Sequence, residues 1–351
     1  MSYLSPKARN IQPYTPGEQP RDRQYIKLNT NENAYPPSPR VEEALRGLTP
    51  ALRLYPDPTC LELRKAIARH HGLSADNVFV GNGSDEVLAF AFAALGGPEG
   101  ILTTDIGYSF YPVYASFFSL PLATVPLNAD MSVPWRELID GRTVALANPN
   151  APTSLALGGD ALYELAAGLR RRGHALILDE AYCDFGGQSL AGRVNELDNL
   201  LVVRTFSKSH ALAGLRVGYA LGAPGLIDGL ERMRDSFNSY PVDSLAQAAA
   251  RASIEDEAYF ERTRDAIIAT RERFSDGLRE LGFDVPDSRA NFVFPRHARA
   301  DAKTLLAGLR ERGILVRYFD KPRLNDRLRI TIGTDEQMDA VIEALRELTR
   351  M

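Results

Sequence analysis

Lysine is scarce in this 351-residue chain: only six of its 41 basic side chains are lysine, and the rest are arginine. A coding bias toward arginine explains the imbalance, yet it narrows any search for a reactive amine to Lys7, Lys27, Lys65, Lys208, Lys303 and Lys321. Cysteine is scarcer still. Cys60 and Cys183 stand far apart, and the five histidines (His70, His71, His174, His210 and His297) lack ligand-like spacing, so neither a disulfide framework nor a metal site is expected. Positive charge is not in excess. A formal net charge of -4 provides no basic field for nucleic acid, although a local group of arginines can still hold a phosphorylated small molecule. No apolar run approaches the length that spans a bilayer, and the first residues, MSYLSPKARN, lack the apolar core of a signal peptide. A cytoplasmic location without membrane contact is the expectation.

What is present is a chain with 44% hydrophobic and 25% charged residues, long enough for one large core and a smaller one. Residues 1–39 are rich in Pro, Asn and Tyr without sustained periodicity, and read as an extended arm packing with the small domain. PRVEEALRGL and TCLELRKAIARHHG then read as amphipathic helices, with Gly72 as the stop for the second. Short apolar runs alternate with helical patterns from NVFVG through ILTTD, LATVPL, TVALANP, ALILDEAY and LLVVRTFS to RVGYALG. Unbroken runs such as ALILD and LLVVR predict strands buried on both faces, hence an α/β fold with a mostly parallel central sheet covered by helices on both sides. This large domain is assigned to residues 40–260. One long helical pattern runs from Pro241 to about Leu281, and residues 261–351 read as a smaller C-terminal α/β domain.

Four segments carry candidate chemistry. ALILDEAY ends a strand in Asp179, Glu180, Ala181 and Tyr182, where ligands of open α/β sheets gather, and a buried Asp179 there needs a cationic partner. A helix cap or a surface acid is the bland alternative. LLVVRTFSKSHALAGLRVGY sets Thr205, Ser207 and Lys208 at another strand end, with Arg216 following. A lone lysine is usually solvated, but burial and nearby cations lower an amine's pKa and make it a nucleophile. VFVGNGSDEVLAFAFAAL runs strand, turn, helix, so the free amides at Gly83, Ser84 and Asp85 suit a phosphate. The turn lacks both the phosphate-loop Lys-Ser/Thr pattern and the three-glycine dinucleotide pattern, and simple capping explains it equally well. ALANPNAPTS offers Asn148 and Asn150 in a loop stiffened by prolines, which is also compatible with a rigid turn alone.

Together the segments supply what pyridoxal-phosphate (PLP) chemistry requires: a lysine, a carboxylate that keeps the pyridine nitrogen protonated, a phosphate cradle, and phenolic or amide donors. Tyr182 and an Asn suit the ring's phenolic oxygen, and Tyr108 in DIGYSFYPVY is the candidate to face the ring.

The ordered set of Gly-Ser-Asp turn, Asn-Pro loop, Asp-Glu-Ala-Tyr and Ser-Lys with a later Arg resembles fold type I PLP-dependent aminotransferases across the whole chain. Within them LNTNENAYPPSP, LRLYPDP, GNGSDE, DEAYCDF, TFSKSHALAGLRVGY and LRITIGT are similar to the histidinol-phosphate aminotransferase family, of the class II subgroup. The resemblance implies Lys208, Asp179 and Tyr182 as catalytic residues, with Thr205, Ser207 and Arg216 on the cofactor phosphate. It also implies a homodimer with shared active sites, in which Tyr55 reaches the neighbouring subunit's cofactor phosphate. Arg329 is then expected to grip a substrate carboxylate in a bidentate pair, and Arg317, Tyr14 and Asn31 become further substrate-binding candidates. One departure stands out. Where the family carries Asn and Gly around its Pro-Thr, this chain has Ala151 and Ser154, so Asn150 is the substitute candidate for the phenolic oxygen.

The implied reaction is transfer of an amino group from L-histidinol phosphate to 2-oxoglutarate, giving imidazole-acetol phosphate and L-glutamate in histidine biosynthesis. An aromatic amino acid aminotransferase and a phospho-amino-acid decarboxylase of the same fold share these cofactor residues. A non-catalytic PLP-fold sensor module, which would be expected to accompany a basic DNA-binding domain, is the alternative of a different class.

Overall fold

A computed structural model describes residues 3–350. The N-terminal arm has little regular structure beyond a short helix α1 (Pro6–Asn10), capped by the Ser5 hydroxyl, and a two-residue strand β1 (Ile26–Lys27). It follows both domains. The Lys7 amine donates to the Phe117 carbonyl (2.5 Å) and Tyr14 stacks on Phe110 with centroids 4.3 Å apart, while β1 pairs in parallel with Ile314 and Leu315. The arm, expected along the small domain, therefore bridges it to the large one. Helices α2 (Pro39–Leu45) and α3 (Leu61–His71) come next, and α3 ends at Gly72 with φ +66°, a left-handed turn that glycine adopts at least cost.

The central sheet has seven strands: β2 (Val78–Asn82), β3 (Ile101–Thr104), β4 (Leu122–Val125), β5 (Thr143–Ala147), β6 (Leu176–Asp179), β7 (Leu200–Thr205) and β8 (Val217–Gly222). Their order is β2-β8-β7-β6-β5-β3-β4, with only β8 antiparallel to its neighbours. Helices α4 (Gly83–Leu95), α5 (Tyr111–Phe118), α6 (Gly159–Arg170), α7 (Pro224–Asp235) and α8 (Ser244–Ile254) divide between the two faces. Strand alternation decides which helix each side chain meets. Leu176 and Leu178 pack with Leu63, Leu165 and Ala249 on the face of α3, α6 and α8, whereas Ile177 packs with Leu88, Tyr111 and Leu230 on the face of α4, α5 and α7. Burial on both faces is why these strands read as unbroken apolar runs.

The long helical pattern after Pro241 is two helices. Between α8 and α9 (Glu257–Glu280) Asp256 takes a non-helical conformation, and its carboxylate accepts the Ser38 hydroxyl. Helix α9 then crosses between the two cores: Phe260 stacks on His210 at 4.7 Å, while Ile267 and Phe274 enter the second core. The junction at residues 260–261 therefore lies inside a helix. Beyond it come β9 (Phe283–Asp284), β10 (Phe292–Val293), β11 (Arg296–His297), α10 (Ala302–Glu311), β12 (Ile314–Leu315), β13 (Arg317–Tyr318), β14 (Leu328–Thr331) and α11 (Asp335–Thr349). Strand β14 lies between β10 and β13, antiparallel to both, and Leu28 of the arm joins the second core. Among the described residues no helix is long and apolar enough to cross a membrane.

Candidate active site

The carboxyl ends of β6 and β7, the start of α4 and strands β13 and β14 surround a cavity of about 550 Å³. Asp179 and Lys208 meet there because β6 and β7 are neighbours in parallel register, Asp179 opposite Val203, so both chains leave the sheet on the same side.

Lys208 has no carboxylate partner among the described residues. Its Nζ donates to the Thr30 carbonyl (3.1 Å) and lies 5.9 Å from the centre of the Tyr182 ring. Burial, reinforced by the positive charge of Arg329, brings its pKa down to about 8. The Tyr182 hydroxyl accepts from Asn31 Nδ2 (3.0 Å), and its ring stands edge-on to Phe292.

Asp179 is buried at 6% exposure, and no cation meets it among the described residues. One carboxylate oxygen accepts the Ala181 N–H (3.1 Å) and the other the Tyr111 hydroxyl (3.2 Å). These two bonds do not offset its desolvation, which pushes its pKa up to about 6.

At the opposite end of the cavity α4 presents its unpaired amides. Gly83 has φ +79°, and Arg216, itself left-handed at φ +54°, lays its guanidinium over this turn. Its Nη2 reaches Asp85 (3.0 Å) and its Nη1 approaches the Ser207 hydroxyl (3.4 Å), while Thr205 Oγ1 accepts the Ser207 N–H (3.1 Å). Gly83 is favoured by its positive φ and Gly218 by the close approach of the α4 backbone. A Cβ at Gly83 would lie 2.6 Å from Arg216 Nη2, and one at Gly218 only 2.2 Å from the Ser84 nitrogen. Ser84, Asp85, Thr205, Ser207 and Arg216 line the cavity, whereas Gly83 packs behind it. Tyr108 also lines it, its hydroxyl donating to Asp85 (2.6 Å).

Arg317, Arg329, Tyr14 and Asn31 line the same cavity from the second core and the arm. Arg329 donates to the Asn29 carbonyl (2.8 Å), and its buried Nε has no partner among the described residues.

Two expected residues lie elsewhere. Asn150 is not among the residues lining the cavity: its amide donates to the Ile106 carbonyl in the cavity wall and to the Thr153 hydroxyl of its own loop, both at 3.1 Å. From that loop Ala151 and Pro152 line the cavity, while the amide of Asn150, the expected substitute for the family's Asn, has its donor hydrogens engaged by the Ile106 carbonyl and the Thr153 hydroxyl. Tyr55 is 82% exposed and stacks on Tyr240 outside the cavity. Conversely, Tyr111 was not among the expected residues although it holds Asp179; the spacing of Tyr108, Tyr111 and Tyr114 was the signal available.

A cationic cradle at a helix start, an amine without an acid and an acid without a base, all facing one cavity of this α/β sheet, are the attributes of a PLP-dependent transferase. The chain belongs to the class I and II aminotransferases, whose family description, "Aminotransferase class I and II", matches residues 23–345. Within that class it belongs with the histidinol-phosphate aminotransferases. It is 53% identical to histidinol-phosphate aminotransferase 1 of Bradyrhizobium diazoefficiens over 99% of both chains. With the histidinol-phosphate aminotransferase of Clostridium beijerinckii it shares 50% identity over 98% of this chain and 96% of that one. The solved histidinol-phosphate aminotransferase of Sinorhizobium meliloti, in complex with pyridoxal-5'-phosphate, superposes with a TM-score of 0.89 at 26% identity, covering 100% of this chain and 98% of that one.

The residues present fit the cofactor. A pyridinium nitrogen supplies the cation that buried Asp179 lacks, an aldehyde suits the uncharged fraction of Lys208, and a phosphate dianion suits Arg216 with the amides of α4.

Proposed function

We propose that this chain is a PLP-dependent transaminase that moves an amino group from L-histidinol phosphate to 2-oxoglutarate, yielding imidazole-acetol phosphate and L-glutamate in histidine biosynthesis. The observation that carries the reading is the pairing of Asp179, buried without a cation, with Lys208, an amine without an acid, in one cavity. When bound, PLP supplies an electron sink for the pair left at the substrate Cα.

The chain's own residues do the rest. Lys208 would hold the cofactor through its Nζ and, once free, would carry the proton off the substrate Cα, a task suited to an amine whose pKa burial lowers to about 8. Asp179 keeps the pyridine nitrogen protonated, and Tyr111 with the Ala181 amide fixes the carboxylate's direction. Tyr182, held by Asn31, serves the phenolic oxygen, and Tyr108 faces the ring. The main-chain amides of Ser84 and Asp85, with Thr205, Ser207 and Arg216, would hold the cofactor's phosphate, the Asp85 carboxylate would orient Arg216, and Gly83 shapes the turn. Arg329 and Arg317, with Tyr14 and Asn31, receive the anionic ends of the two substrates.

The working unit is a cytoplasmic homodimer in this reading. Leu52, Leu54, Tyr55, Leu61, Phe237 and Tyr240 are exposed apolar side chains, a surface suited to a second copy. Asn82, immediately before α4, donates to the Pro241 carbonyl, so this surface adjoins the phosphate end of the cavity, where Tyr55 of one subunit would serve the other.

The deciding assay follows glutamate formation from 2-oxoglutarate with L-histidinol phosphate or L-phenylalanine as donor. Turnover of histidinol phosphate supports the reading. Phenylalanine turnover without it would transfer the chain to the aromatic aminotransferases, and release of carbon dioxide from a phospho-amino acid would make it a decarboxylase.

A further inference from the structure

One turn of the arm touches Lys208 at both ends. The Thr30 carbonyl accepts from Nζ (3.1 Å), and Asn33 Nδ2 donates to the main-chain carbonyls of Lys208 (2.8 Å) and Ser209 (3.2 Å). Lys208 lies beyond the last residue of β7, Thr205, so no sheet ladder fixes its backbone. Among the described residues its carbonyl otherwise receives only the longer Ala211 N–H bond (3.3 Å), in a turn where Ala211 is left-handed at φ +58°. The Asn33 amide is itself oriented, because its Oδ1 accepts the Tyr35 N–H (2.9 Å) and thereby turns Nδ2 toward Lys208.

The same turn is tied to the second core. Asn31 donates its N–H to Thr331 Oγ1 (3.0 Å), its carbonyl accepts Asn291 Nδ2 (3.1 Å), and the preceding Asn29 carbonyl accepts Arg329 (2.8 Å). A four-carbon side chain ending in an amine has many rotamers, so where Nζ can reach depends on how firmly its backbone is held.

We infer that Asn33 is a positioning residue for Lys208: by anchoring the lysine's main chain to the arm, it sets the reach of Nζ for proton transfer at the substrate Cα. Asn33 touches neither the amine nor the cavity, and acts only through the lysine backbone. The inference rests on the proposed role of Lys208. Nothing in the local motif announces it, because the contact joins residues 175 positions apart.

The experiment uses the cofactor-loaded protein and its Asn33→Ala and Asn33→Ser variants; serine can still accept the Tyr35 N–H through its hydroxyl, which guards against a simple folding failure. Four quantities are compared: kcat, KM for the amino donor, the kinetic isotope effect with deuterium at the donor Cα, and the pH midpoint of the bound cofactor's visible band. A positioning role predicts a fall in kcat of about tenfold, the size of one lost hydrogen bond expressed in the barrier. KM stays unchanged, the isotope effect increases because proton transfer has become slower, and the band midpoint moves. If both variants melt earlier yet keep the parent's kcat, isotope effect and midpoint, Asn33 merely pins the arm and the inference is wrong. Borohydride reduction of the parent, followed by mass analysis of the Lys208 peptide, separates this failure from a wrong lysine assignment: a missing adduct overturns the role of Lys208 itself.

Discussion

Arg317 and Arg329 are cross-strand partners on β13 and β14, and among the described residues neither guanidinium meets a carboxylate. Like charges facing each other across an antiparallel pair cost stability, and burial together with Arg317 holds the pKa of Arg329 below its usual value. Buried Arg204, by contrast, lies between Glu180 and Asp184. An unpaired couple at a cavity wall is matched to a ligand that brings negative charge.

Arg329→Lys therefore keeps the charge but loses the planar fork. The expected outcome is a rise of about tenfold or more in KM for 2-oxoglutarate, since an ammonium does not reproduce a bidentate carboxylate pair. Steady-state kinetics check this, and an unchanged KM would remove Arg329 from the substrate site.

Lys208 sets a pH dependence. The neutral amine attacks an aldehyde and the protonated amine does not, so capture of PLP by the apoprotein should accelerate as pH rises, with a midpoint near the lysine's pKa of about 8. Stopped-flow absorbance across pH 6 to 11 measures it. A midpoint near the ordinary lysine value of 10.5 would show that burial does not tune this amine.

Asp179 gives the opposite kind of signature, in stability. Its folded-state pKa of about 6 lies above the ordinary value of 3.8, so the folded apoprotein holds the proton longer than the unfolded chain does. The cost of the buried charge is absent below about pH 4, grows as pH rises through 6, and is complete above it. Asp179→Asn apoprotein should consequently exceed the parent in stability at pH 8 by up to about 3 kcal/mol, and match it near pH 4. Denaturant titrations at the two pH values test the difference. Equal stability at pH 8 would mean that the carboxylate is not strained by burial.

Ser154 stands where the family carries glycine. It is left-handed at φ +66°, and its buried hydroxyl has no partner among the described residues. Ser154→Gly should stabilise the fold by about 1 kcal/mol, since relief of a left-handed Cβ and of an unsatisfied hydroxyl outweighs glycine's extra freedom when unfolded. Thermal melting reads the change, and a lower Tm would indicate that the serine makes a compensating contact.

Much of the large core was legible in the chain. Residues buried on both faces of a parallel sheet must be apolar throughout, so ALILD and LLVVR announced β6 and β7, and the polar residues ending those runs announced Asp179 and Lys208. The turn before α4 was equally readable, because a glycine followed by serine and aspartate is a local conformational signal.

Other features depended on contacts that no local pattern encodes. Asp256, between α8 and α9, meets a serine 218 positions away, Tyr111 reaches Asp179 from α5, and the arm bridges the domains through Lys7 and Tyr14. The proline-rich loop shows the limit most clearly. Its composition marked it as rigid and near the strand ends, yet composition could not say whether Asn150 or Ala151 would face the cavity. Periodicity and strand ends are local consequences of burial and were settled within a few residues. The direction of a loop side chain, and the pairing of Arg317 with Arg329 or of Asn33 with Lys208, were settled only when distant segments packed together and competed for the same donors and acceptors.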